Sequence, residues 1–168
     1  MDADTLHQAK QIITEEVERA GYRVVKIILF GSRARGEARS DRQWFLKAGS
    51  DLKTARDELA TEEPVADAVC FHAQQYAEKC LKAFLIFHGK EYPKTHDIAW
   101  LVRLCTEVDA EFRQLIDWGA DQLTKYATVA RYDMSFFPSM EEARNATALA
   151  ERVAGFVLQK LRQQGFEP

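Results

Sequence analysis

Between Val65 and His88 the chain reads VADAVCFHAQQYAEKCLKAFLIFH, and apolar side chains cover nearly its whole helical circumference. Val69, Ala73, Tyr76, Cys80 and Phe84 recur along one line, and Ala77, Leu81 and Leu85 along another, at the spacing that stacks side chains on a helix. A helix apolar on every side has to be surrounded, because any water-facing side would leave that surface unburied. This segment calls for a helical bundle with itself at the centre.

The rest of the chain supplies the surroundings. Trp44, Ala48, Leu52, Ala55 and Leu59 form one face of a helix that ends before Pro64. After the break HGKEYPKTHD, Thr95 or Asp97 can cap a short helix through Leu104 and Cys105. A further helix is expected to carry Phe112, Leu115, Ile116, Leu123, Tyr126 and Ala130. RYDMSFFPS interrupts it, and its two phenylalanines are either a contact patch or buried against the bundle. The last helix opens with Ser139 three residues before Glu142, the reciprocal capping-box arrangement, and continues through Ala143, Ala146, Leu149, Val153, Phe156 and Leu161.

The expected fold is therefore mainly α, an antiparallel up-and-down bundle of four long helices plus a short helix over residues 44–168. Residues 1–43 read as an N-terminal helix–strand appendage. Leu6, Ala9, Ile12, Ile13, Val17 and Ala20 keep helical spacing, Gly21 can end that helix, and YRVVKIILF is the strong β signal.

Composition narrows the function classes. Apolar residues make up 46% and charged residues 29%, as suits a soluble domain with a proper core. The formal net charge of −3 gives no global basic field to draw the chain to nucleic acid, so any phosphate contact has to come from a local patch. No apolar run reaches the ~20 residues that span a bilayer, so no membrane partner is expected. Cys70, Cys80 and Cys105 lack metal-ligand spacing and read as small core residues. A reducing, cytoplasmic setting follows from that usage, and neither metal nor other cofactor is expected.

The feature that points to chemistry lies on the central helix. His72, Gln75, Lys79 and Lys82 fall on a single polar stripe, which either faces a groove or is satisfied within the bundle. Gln75 with Lys79, and Glu78 with Lys82, are ordinary i,i+4 partners. A groove holding two lysines and a histidine would suit a phosphate, with Tyr126, Arg131 or Tyr132 as further walls. His96 and Asp97 resemble an acid–base pair, but an aspartate at that place caps the helix more readily.

Two family resemblances meet in this chain. LFGSRARGEARSD, from Leu29 to Asp41, resembles the turn of the minimal nucleotidyltransferases, in which Gly-Ser precedes an Asp-x-Asp pair. The resemblance implies nucleotide binding at Gly31, Ser32 and Arg33, yet Gln43 and Phe45 stand where the magnesium-binding carboxylates belong. FLKAGSDLKTARDEL, then AVCFHAQQYAEKCLKAFLIFHGKEYPKTHDI, then LTKYATVARYD resemble the HEPN family. That family's domains are helical bundles that commonly dimerise, often beside a nucleotidyltransferase in toxin–antitoxin-like pairs. Many are metal-independent ribonucleases with an Arg-x4-6-His motif near the start of the last long helix. Arg131 matches that arginine, but Ser135, Phe136 and Phe137 occupy the histidine's places, and none of His7, His72, His88 and His96 follows an arginine at the required distance.

No catalytic residue is assigned on this basis. The expected function is a non-catalytic nucleotide- or RNA-associated module that forms a homodimer and works with a separate nucleotidyltransferase chain. A ribonuclease with a non-standard residue set and a purely structural dimerisation protein remain as alternatives.

Overall fold

A computed structural model describes residues 11–12, 14–20, 40–133 and 135–166 of the chain. Contacts divide the chain into two compact units, Met1–Ala38 and Arg39–Pro168. In the first, the described residues are helical up to Arg19, whose guanidinium meets Glu16 at 2.7 Å. The expected strand at residues 22–30 and the helix end at Gly21 lie outside the described residues.

The second unit is the anticipated mainly α bundle. It runs α1 (Ser40–Leu59), α2 (Ala66–Phe87), α3 (Ile98–Thr106), α4 (Gln114–Asp117), α5 (Thr124–Tyr132) and α6 (Met140–Arg162), with 3-10 turns at Ala110–Arg113 and Ala120–Leu123. As its apolar circumference requires, α2 lies against α1, α3, α5 and α6. The short link from Leu59 to Ala66 turns α1 and α2 into antiparallel neighbours.

Small residues set how closely the long helices approach. Ala48 and Ala55 on α1, Ala73 and Ala77 on α2, and Ala143, Ala146, Ala150 and Ala154 on α6 are all buried. Larger side chains fill the other end of α2, where Phe84 stacks on Phe112 at 4.2 Å amid Leu81, Leu85, Leu101 and Leu115. The chain end closes this region. Gly165, at φ +84, reverses the backbone, and Phe166 then packs against Phe45 and Phe87 at 5.2 and 5.9 Å.

The helix ends follow local chemistry. Asp97 accepts from the Trp100 amide at 3.0 Å and starts α3. Ser139 and Glu142 form the expected reciprocal box, with bonds of 3.1 and 2.9 Å, at the head of α6.

One helix departs from expectation. The segment from Phe112 to Ala130 is not continuous, because Gly119 takes the left-handed conformation at φ +80 and separates α4 from the turn that leads into α5. The stripe survives the break, since Phe112, Leu115, Leu123 and Tyr126 all still point inward. Ile116 does not, and is 40% exposed. Of the two phenylalanines in RYDMSFFPS, Phe136 packs on the core beside Tyr126, at 6.1 Å, while Phe137 is 84% exposed. The cysteines are buried and unbridged as expected, and burial pushes the Cys70 thiol up to about 12.

His88, at the end of α2, carries a buried Nε2 without a hydrogen-bond partner, and its ring lies against Phe84 at 4.4 Å. Burial holds its pKa below the ordinary 6.5, with the Asp109 charge opposing. Folding therefore favours the neutral ring, and the unfolded chain binds the proton more tightly. This contribution is complete above pH 6.5 and is lost as pH falls below it. The carboxylates held low in the fold, Glu78 and Asp109 among them, add their own losses only in the more acid range. Denaturant unfolding followed from pH 7 to pH 5 is expected to show stability falling, and His88→Leu is expected to flatten that slope.

The glycines provide a second check. Gly119→Ala forces a Cβ into the left-handed region and is expected to cost about 1–2 kcal/mol. Gly155→Ala, in the middle of α6 with open space around the added carbon, is expected to gain about 0.5–1 kcal/mol. Urea midpoints of the two variants should move in opposite directions.

Candidate functional site

A cleft of about 670 Å3 opens between the start of α1, the middle of α2 and the connection before α3. Gln75, Glu78, Lys79 and Lys82 of α2 line it, with Trp44 from α1 and Tyr92, Lys94, Thr95 and His96 from the connection. Three of the four stripe residues read from the sequence thus face one cavity. His72, a turn earlier, faces Asp51 of α1, with Nδ1 at 3.0 Å from Oδ1.

The floor is organised by Glu78, which is 3% exposed. Its carboxylate accepts from Lys82 Nζ at 2.6 Å and from Gln74 Nε2 at 2.7 Å, and lies 3.0 Å from His96 Nδ1. Burial alone would raise its pKa, but the hydrogen bonds from Lys82, Gln74 and His96 outweigh burial and hold it below the ordinary carboxylate value. The same groups fasten the connection to α2. Lys82 Nζ donates to the Thr95 carbonyl at 2.9 Å, and Gln74 Nε2 to the His96 carbonyl at 3.3 Å.

Lys82 is the better buried of the two stripe lysines. Its ammonium sits 5.7 Å from the Trp44 ring centre and 5.4 Å from that of Tyr92, and the two rings meet edge to face at 6.4 Å. Of its three N–H donors, two go to Glu78 and Thr95, which leaves one for the cleft. Burial and the Glu78 charge push the Tyr92 phenol up, so this wall remains protonated at neutral pH. Lys79 donates to Asp51, which is 8% exposed, and keeps two further donors. Lys94, on the rim, has no carboxylate partner among the described residues.

Several expectations need correction. Glu78 and Lys82 are i,i+4 partners as anticipated, but in a buried hub rather than on a solvated face. Gln75 does not pair with Lys79. It donates to Gln74 Oε1 at 2.7 Å, because Lys79 is taken by Asp51. His96 works with Glu78 and not with Asp97, whose carboxylate is committed to capping α3. Tyr126 does not wall this cleft. It lines a second one of about 270 Å3 with Trp118, Lys125 and Glu142.

Arg131 and Tyr132 end α5, and their side chains, like Gly31, Ser32 and Arg33, lie outside the described residues. Of the positions where the family's histidine would stand, Ser135 bonds Asp133 Oδ1 at 2.5 Å and Phe136 is packed on the core. Among the described residues no three His, Cys, Asp or Glu side chains are grouped to hold a metal ion.

Sequence reasoning missed Asp51, Gln74, Glu78, Trp44 and Tyr92 as parts of this site. A signal for two of them was present. Asp51 falls on the inner stripe of α1, one position from Leu52, and Glu78 stands among the buried positions of α2. A carboxylate on an inward face requires a buried cation, and the lysine stripe supplied it.

A family model described as the HEPN domain matches residues 42–161, a span that covers α2 to α5 and nearly all of α1 and α6 and does not reach the Gly-Ser turn. No curated protein and no solved structure matches the chain. With most of its length accounted for by that one match, the chain belongs to the HEPN domain family.

Proposed function

We propose that this HEPN domain is a nucleotide- or RNA-associated module that works by binding rather than by catalysis, and that the cleft along α2 is where it binds. One observation carries the reading: lysine ammonium groups and two aromatic rings, Trp44 and Tyr92, line a single cavity of about 670 Å3. Phosphates need charged donors and bases need flat apolar faces, and here the two stand side by side. The cavity is within the usual size range for small-ligand sites. The absence of an imidazole at Ser135, Phe136 and Phe137 supports the non-catalytic part, since the family's ribonuclease chemistry needs one there for proton transfer.

The wider setting rests on the sequence. The resemblance of Leu29–Asp41 to a nucleotidyltransferase turn, with its carboxylates replaced by Gln43 and Phe45, fits a remnant segment whose active counterpart is a separate chain in a toxin–antitoxin-like pair. Self-association is a second element of the proposal. It is favoured by Phe137, a large apolar side chain left 84% exposed on the α5–α6 connection.

Trp44 gives the binding reading an internal probe. Millimolar nucleotide is expected to quench tryptophan fluorescence and to raise the melting temperature. The quench should vanish in Trp44→Phe, which leaves Trp100 and Trp118 in place. Lys79→Ala is expected to weaken binding by about tenfold, the size of one charge-assisted contact. A flat response to every nucleotide and to short RNA would count against the site.

For self-association, light scattering at micromolar concentration is expected to report a dimer that Phe137→Asp weakens. A monomer in the parent protein would remove that element of the proposal.

A further inference from the structure

The cleft has room for either a mononucleotide or a triphosphate, so volume does not choose between them. Charge does. Three ammonium groups line the cavity, those of Lys79, Lys82 and Lys94. Asp51 stands behind Lys79 and Glu78 behind Lys82, both in direct contact. Lys94 alone brings a charge that no carboxylate among the described residues offsets. Counting the lysines against the carboxylates they meet, the surplus is thus a single positive charge, and the chain as a whole carries −3.

A phosphate monoester has at most two negative charges, and three donor groups line the cavity for its oxygens: Lys94, the remaining N–H of Lys82 and those of Lys79. Each further phosphate would bring negative charge toward Glu78 and Asp51 with no new cation to face it, in a partly enclosed cavity where Coulomb terms are weakly screened. The aromatic pair supplies the other half of the recognition, a face for the base beside the phosphate contact.

We propose that the cleft selects a nucleoside bearing one terminal phosphate and discriminates against the di- and triphosphates. The proposal rests on the nucleotide reading above and adds the ligand class. Two sources share that chemistry, a free mononucleotide and the phosphorylated end of an RNA strand.

The test is a magnesium-free titration of the full chain with AMP, ADP and ATP, read by calorimetry, on the parent protein and on Lys94→Gln and Asp51→Asn. Affinity is expected to fall with each added phosphate, with AMP about tenfold tighter than ATP, the two extra negative charges of ATP meeting no further cation in the cleft. Lys94→Gln should lose about tenfold on AMP. Asp51→Asn removes the charge behind Lys79 and keeps an oxygen toward His72, so it should narrow the gap between AMP and ATP.

ATP binding as tight as AMP in the parent protein would overturn the proposal and leave the nucleotide reading standing. So would a gap unchanged in a folded Asp51→Asn. Silence from all three nucleotides would overturn the nucleotide reading, and this proposal with it. If Asp51→Asn fails to fold, Lys94→Gln decides, because Lys94 is exposed and its replacement leaves the core intact. Competition against AMP by a trinucleotide carrying a 5′-phosphate separates the sources. Competition that needs the phosphate assigns an RNA end, and none assigns the free mononucleotide. Equal competition by the 5′-hydroxyl trinucleotide would overturn the terminal-phosphate requirement.

Discussion

Glu78 is a carboxylate placed inside a helix that is otherwise core, and the candidate site depends on how that charge is met. Removing an ion from water costs several kcal/mol unless partners replace its hydration. Glu78 has three, two from its own helix and one from the connection before α3. Lys82 keeps the compensation on α2 and also binds the Thr95 carbonyl. Gln74 binds the His96 carbonyl, and the His96 ring returns to the carboxylate. One buried charge therefore positions the Tyr92–His96 connection, and that connection is the outer wall of the cleft. A cleft wall built in this way is tied to the core.

Asp51 repeats the device one turn further along, between two helices instead of a helix and a connection. His72 and Lys79 of α2 both reach it from across the α1–α2 contact. Alanines at 48, 55, 73 and 77 bring those helices together, so the carboxylate is 8% exposed although its partners are long polar side chains. Buried ion pairs of this kind are weak evidence for added stability, since an apolar replacement of similar volume often does as well. What they do fix is register. A slip of α1 along α2 would strand Asp51, and with it would go the relation of Trp44 to Lys82.

Much of the bundle was legible because its signals are local. The apolar circumference of α2, the Asp97 cap and the Ser139–Glu142 box need only neighbours within one or two turns. The break at Gly119 was not legible, for a physical reason: 3-10 and α turns on either side keep Phe112, Leu115 and Leu123 inward, so the stripe looks unbroken. The cleft was half legible. Its lysines show as a stripe, but Asp51 is 28 positions from Lys79 and His96 is 18 from Glu78, and no periodicity links residues so far apart. The stripe posed a choice between a groove and internal satisfaction. In the fold both hold, since Lys79 and Lys82 are paired with carboxylates and still line an open cavity.

That double role has an energetic consequence. A lysine already held by a carboxylate has lost its rotamer freedom on folding, so a ligand does not have to order it, and the usual cost of immobilising such a side chain on binding is reduced. The same carboxylate cancels most of the attraction that a free ammonium would exert at a distance. Two of the cleft's three lysines are therefore held and neutralised, which lowers long-range steering and, on the proposed reading, would leave recognition to short contacts with the remaining N–H donors and the aromatic faces. A chain of net charge −3 built for indiscriminate capture of polyanions would need its lysines unpaired. On the proposed reading, pairing two of the three in the cleft trades reach for selectivity, and Lys94, without a carboxylate partner among the described residues, is the side chain on which a weakly charged ligand would depend.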